Sequence, residues 1–235
     1  MMKHSNHLLS DFVALFYPNY CLSCEDALLH GEQLLCSRCL LELPRTNFHK
    51  DLSNDLFRRL QYQQSIKSAV ALFRFGKSGK VQNLLHALKY RNRPEVGFYL
   101  GLHYGKQLNE EWLGNRPELL VPIPLHRRKM IRRGYNQSEE FARGLSESLE
   151  IDLSSTALKR TRYTETQTAR SKLGRWENVS DVFEVTNSDL VGQKRIAIVD
   201  DVVTTGATVE AASSALINSG CSEITVISLA YADGK

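Results

Sequence analysis

Residues 196–208 read Ile-Ala-Ile-Val-Asp-Asp-Val-Val-Thr-Thr-Gly-Ala-Thr, and no other stretch of the chain restricts its fold as tightly. An unbroken apolar run suits a strand buried on both faces of a parallel sheet. It ends in adjacent carboxylates, Asp200 and Asp201, followed by two valines and a small hydroxyl-and-glycine turn, Thr204 to Thr208. A helix-like segment, Val209 to Ser219, comes next. Such a turn presents free backbone N–H groups at a helix N-terminus, where unpaired donors and the helix dipole favour a phosphate. Gly206 lets the backbone approach an anion closely. An acid pair beside a phosphate cradle suits the hydroxyls of the sugar that carries the phosphate.

The rest of the chain repeats the strand-then-helix alternation. Ala69–Phe75, Leu119–Ile123, Thr156–Lys159, Arg195–Val199 and Ile224–Leu229 read as strands. Gly79–Tyr90, a segment after Pro94, and Asn136–Glu150 read as helices, the first with Val81, Leu84, Leu85 and Leu88 on one face. This order predicts an α/β fold, a parallel sheet flanked by helices, with ligands beyond the carboxyl ends of the strands.

Four of the five cysteines form two Cys-x-x-Cys pairs, Cys21/Cys24 and Cys36/Cys39, separated by eleven residues. Each pair can reach one tetrahedral ion from a tight turn, and four thiolates favour structural zinc. An iron–sulfur cluster or a redox pair fits the same spacing. The expected organisation is an N-terminal helix and zinc module over 1–45, a polar linker over 46–64, and the α/β domain over 65–235. Cys221 reads as a small buried hydrophobe.

Two further segments are basic. Val121 to Ser138 leaves a strand through Pro122 and Pro124, carries five cations between Arg127 and Arg133, and enters a helix near Asn136. Cations placed there suit a diphosphate or a phosphodiester backbone. Residues 158–178 are polar, without a periodic apolar face, and long for a loop inside a compact domain. Gly76-Lys77-Ser78 lacks the upstream glycine of a nucleotide P-loop, since Ala71 stands there, and reads as a turn.

Composition fits a globular protein: 235 residues, 42% hydrophobic, 24% charged, net charge +4. No apolar run is long enough to span a bilayer. No small-residue cleavage site follows the N-terminal apolar stretch, so a secretory signal is not expected and the cytoplasm is the expected compartment.

The 196–208 segment resembles the phosphoribosyl-pyrophosphate (PRPP) motif of type I phosphoribosyltransferases. By that resemblance Asp200 and Asp201 hold the ribose hydroxyls, and Thr204, Thr205, Gly206, Ala207 and Thr208 hold the 5′-phosphate. Leu125, His126, Arg127 and Arg128 match the pyrophosphate loop by position. Lys159, Arg160, Arg162 and Arg170 fall in the catalytic flap, which closes over PRPP. The four-cysteine module, Arg133-Gly-Tyr-Asn-Gln137, the Lys159 segment and the acid-pair motif, in that order, resemble the ComF family of competence-associated, phosphoribosyltransferase-like proteins. The resemblance implies PRPP bound with magnesium, and partners in DNA uptake, single-stranded DNA among them, beside the structural zinc read from the cysteine spacing. Two functions stay open: phosphoribosyl transfer to an acceptor for which no base-binding segment is recognisable, or a non-catalytic DNA-binding factor that keeps the PRPP pocket as a sensor.

Overall fold

The computed structural model describes residues 19–62, 64–76, 79–161 and 182–232. The N-terminal helix expected before residue 19, and Arg162 and Arg170 of the expected flap, lie outside the described residues. Along the described chain run α1 (Ser37–Glu42), α2 (Asp55–Leu60), β1 (Ile66–Phe75), α3 (Lys80–Tyr90), α4 (Glu95–Glu111), β2 (Leu119–Pro122), α5 (Arg127–Arg133) and α6 (Gln137–Leu149). They continue through β3 (Asp152–Leu153), β4 (Leu158–Arg160), β5 (Phe183–Val185), α7 (Ser188–Val191), β6 (Arg195–Val203), α8 (Ala207–Asn218) and β7 (Glu223–Ala232).

Five strands form one sheet in the order β1-β7-β6-β2-β3. Every pairing in it is parallel. The expected parallel sheet flanked by helices is therefore the fold. β6 and β7 occupy its interior, and Ile196, Ala197, Ile198 and Val199 are fully buried, as two covered faces require. β6 extends four residues past the expected Val199, to Val203, so the acid pair belongs to the strand itself. The strand expected at Thr156–Lys159 lies at Leu158–Arg160, outside the parallel sheet, paired antiparallel with Phe183–Val185.

Two glycines set how the helices cover the sheet. A Cβ on Gly101 of α4 would lie 2.3 Å from the Phe141 carbonyl oxygen, and one on Gly144 of α6 would lie 2.1 Å from that of Phe98. Helix backbones in this contact approach closer than any side chain permits, which locks α6 at one height along α4. The N-terminus of α6 then faces the carboxyl end of β6.

The described residues of 46–64, a segment read from its polarity as a linker, are not open chain. A 3₁₀ turn at Phe48–Lys50 and helix α2 pack onto β1, with Leu56 and Leu60 fully buried. Asn54 caps α2 through the Phe57 amide and donates to the Ala69 carbonyl at 2.8 Å, tying the segment to the sheet. The cysteine module joins the same body: Asn83 of α3 donates to the Ser23 carbonyl at 2.8 Å, and Arg45 donates to Gln107 of α4 at 3.0 Å. Among the described residues no helix is long and apolar enough to cross a membrane.

Candidate functional site

β6 carries Asp200 and Asp201 to the carboxyl end of the sheet. Asp200 is buried at 8% exposure and accepts a hydrogen bond from Ser138 Oγ at 3.1 Å. The Asp201 amide donates both to Asp200 Oδ1 at 2.8 Å and to Ser138 Oγ at 3.1 Å. Burial, then the negative charge of Asp201, push the Asp200 carboxyl up to about 7, although the Asp201 amide, Lys89 and Ser138 pull against them. Half-buried Asp201 forms an ion pair with Lys89 of α3, Nζ to Oδ2 2.7 Å.

The turn that follows is open to solvent at Thr204, Thr205 and Ala207 and closed from behind at Gly206. Gly206 has φ +90°, and a Cβ there would lie 2.5 Å from Leu60 Cδ2, so glycine is demanded twice. It stands at the N-terminus of the twelve-residue α8 without a side-chain cap, so the first amides of that helix face the turn. Thr205 Oγ1 is 3.5 Å from the Ala207 amide, and Thr208 is half-buried. From α2, Arg59 Nη1 donates to the Thr204 carbonyl at 2.6 Å and to the Ala232 carbonyl at 2.8 Å. Its guanidinium lies 4.6 Å from the centre of the Tyr231 ring. One side chain thus fastens the turn to the last strand.

The basic segment after β2 contains a helix that charge conceals in the sequence. His126 caps α5 by accepting the Arg128 amide through Nδ1 at 3.2 Å. Leu125 and His126 are half-buried, and Arg127 and Arg128 are exposed. The string from Arg133 to Ser138 then acts residue by residue as a scaffold. Arg133 donates to Gln137 at 2.6 Å, and the Tyr135 hydroxyl donates to the Leu88 carbonyl on α3. Asn136 caps α6 through the Ser138 amide and donates to the Ile123 carbonyl at 3.0 Å. Ser138 holds the acid pair as described.

Cations converge on this corner. Lys129 of α5 is held below its ordinary value by burial and then by the charges of Arg160, Arg133, Lys89 and Arg132. Arg160, at the end of β4, is lowered by burial and raised by Asp200, and stacks over Phe183 at 5.4 Å. Arg160 is thus the expected flap residue that reaches the acid pair's field, while Lys159 on the same strand is exposed. Sequence reading singled out the acids, the turn and the basic loop but not Arg59, Lys89 or Ser138.

The four cysteines meet as their spacing predicts: Cys21, Cys24, Cys36 and Cys39 place their sulfurs within 4.8 Å of one another. Cys24 and Cys36 Sγ are 3.7 Å apart. Four sulfurs about 2.3 Å from one tetrahedral ion are separated by about 3.8 Å, so the cluster fits a metal ion. Backbone amides of Cys36 and Cys39 donate to Cys21 Sγ and Cys36 Sγ, each at 3.4 Å. Burial opposes ionisation of Cys21, yet the amides of Cys36, Cys24 and Ser23 outweigh it and lower the thiol to about 7. Burial pushes the Cys39 thiol up to about 12. Cys221, also buried, lies far along the chain in the turn before β7.

The acid pair and the threonine-glycine turn stand at the end of an interior strand of a five-stranded parallel sheet, and residues 132–235 match the phosphoribosyl transferase domain family, so the chain is a phosphoribosyltransferase-like protein. Competence protein F of Haemophilus influenzae is 33% identical over 156 residues, covering 63% of this chain and 67% of that protein. The chain belongs to the ComF family of phosphoribosyltransferase-like proteins. DNA utilization protein YhgH of Escherichia coli K12 is 29% identical over 221 residues, 91% of each chain. Among solved structures, glutamine PRPP amidotransferase from B. subtilis is similar with TM-score 0.41 and 22% identity, over 60% of this chain and 30% of that one.

Proposed function

We propose that the corner after β6 binds PRPP with magnesium, to transfer or to sense its phosphoribosyl group, in a cytoplasmic protein that serves DNA uptake. The observation that carries this is the adjacency of Asp200 and Asp201 to the solvent-open turn Thr204–Thr208 at the N-terminus of α8. Main-chain amides and threonine hydroxyls there meet a 5′-phosphate, and the carboxylates accept from a ribose diol. The diphosphate falls toward His126, Arg127 and Arg128, with Lys129 and Arg160 adding charge. Magnesium would chelate diphosphate and sugar oxygens and offset their charge. As diphosphate leaves C1 with the electron pair of the C–O bond, a nucleophilic nitrogen of the acceptor forms the new bond at that carbon, and a fixed carboxylate field stabilises the positive charge that develops on the sugar in between, without a covalent intermediate on the protein. The protein's part in that step is positioning and charge.

The DNA role rests on the names of the relatives, competence protein F and DNA utilization protein YhgH. A second reading, a non-catalytic single-stranded DNA factor that keeps the pocket as a sensor, draws on the cations that repel one another around Lys129. The cysteine cluster is assigned to structural zinc, because four thiolates leave no open position for chemistry.

Calorimetry of PRPP with magnesium tests the pocket. Asp200→Ala combined with Asp201→Ala is expected to lower affinity at least about 100-fold, from the loss of two charged acceptors. Unchanged affinity overturns the assignment. Diphosphate release over a panel of bases and amines separates transfer from sensing.

A further inference from the structure

An open cleft of about 520 Å³ lies between the end of α3 and the α5–α6 connection. Its walls include Lys89, Tyr90, Ile131, Arg132, Arg133 and Tyr135. Three are cations and two are aromatic rings. Tyr90 is 64% exposed, and the Arg133 guanidinium sits 5.6 Å from the centre of its ring. Arg133 is held in place by Gln137, and its buried Nε meets no acceptor among the described residues. Tyr135 is anchored to α3 through its hydroxyl, so its ring is a fixed wall. Lys89 belongs to both places, lining the cleft while its Nζ pairs with Asp201.

We infer that this cleft binds single-stranded DNA, one base against Tyr90 and the flanking phosphates on Arg132 and Lys89, and that DNA there and a sugar diphosphate at the acid pair weaken each other through Lys89. The ring-and-cation composition fits a strand whose bases are free to stack; a duplex keeps its bases inside. The two ligands are both polyanions drawing on one field of cations. Lys129 already feels Lys89, Arg132 and Arg133 of the cleft together with Arg160 of the sugar side. With its ribose on Asp201, the sugar diphosphate brings the negative charge of its phosphates within reach of Lys89 and partly neutralises the field that holds the strand, and reciprocity requires that DNA weaken the sugar diphosphate by the same factor. The antagonism rests on the proposed PRPP reading, whereas the cleft as a DNA site does not.

The test uses the full chain with its metal and a fluorescent dT15 oligonucleotide. Tyr90→Ala is expected to weaken binding about fivefold or more. Arg132→Gln is expected to weaken it and to lower the slope of log affinity against log salt by about 0.7. Wild-type affinity in both variants overturns the cleft assignment, as does a duplex that binds equally well or an rU15 strand that binds while dT15 does not. Saturating PRPP with magnesium is expected to weaken dT15 binding about tenfold in the wild type, and Lys89→Met is expected to remove most of that effect. Unchanged or tighter dT15 binding, with PRPP uptake verified by calorimetry, overturns the antagonism. If calorimetry shows that PRPP does not bind at all, the sugar-site reading and the antagonism fall together, and the Tyr90 and Arg132 variants still decide the cleft.

Discussion

Asp200 shows how much one position can carry. Its carboxyl is buried, faces a second carboxylate, and is supported by Ser138 and by the next amide. With a folded value near 7 against an ordinary value of 3.8, the unfolded chain releases this proton first as pH rises. The unfolded state is therefore favoured progressively between about pH 4 and pH 7, and the loss is complete above pH 7. Asp200→Asn removes this titration while keeping the shape. Urea midpoints of the two proteins are expected to coincide near pH 4 and to diverge toward pH 8, the variant being more stable by on the order of 1–4 kcal/mol. Equal pH dependence would show that Asp200 is ionised at no cost. The acids and the turn were legible in the sequence because they are contiguous and each residue type serves one task. Their supports were not. Ser138 stands 62 residues before Asp200, and Arg59 stands 145 residues before Thr204. Nothing in a local pattern announces contacts across such separations, and serine, arginine and lysine are common on any surface.

At the level of elements, the turn after β6 works because α2 stands behind it. Gly206→Ala places a methyl against Leu60 and forces an alanine to φ +90°. The expected cost is roughly 2–4 kcal/mol, with a loss of phosphate affinity, read from urea unfolding and calorimetry. Adding Leu60→Ala removes the collision but not the backbone strain, so the double variant is expected to regain turn geometry only in part. The helices flanking the sheet were legible where apolar spacing was regular, as in Val81, Leu84, Leu85 and Leu88 of α3. Helix α5 was not, since none of its residues is buried and cations fill most of its positions. Helix α2 was hidden by its length, six residues, which leaves a single apolar turn within a polar stretch. The α4–α6 crossing was equally invisible: glycines read as breakers until a facing backbone gives them a reason.

At the scale of the molecule, the buried apolar residues among those described form a core running from Cys21 to Tyr231. The cysteine cluster is part of that core, with Cys39 fully buried and Leu35 and Leu43 beside it in sequence. Loss of the metal is therefore expected to reach beyond the module. Cys36→Ser, or chelation, is expected to release one zinc per chain by metal analysis and to lower the melting temperature of the full protein. A variant that keeps its melting temperature without metal would assign the cluster a role other than structural. The parallel order of the sheet was legible from the alternation of elements; the strand sequence β1-β7-β6-β2-β3 was not, because alternation fixes direction and leaves neighbours unspecified.

Arg59 gives the molecule an unexpected seam. A fragment trimmed to begin at residue 65 would retain every strand of the parallel sheet and the entire acid-and-threonine signature, yet it would lack the side chain that staples Thr204 to Ala232 and the leucine that backs Gly206. Such a fragment is expected to take up sugar phosphate poorly, and the chain restored through residues 46–64 and the cysteine module should regain the uptake. Searches for the smallest active piece that follow the signature alone would cut on the wrong side of that seam.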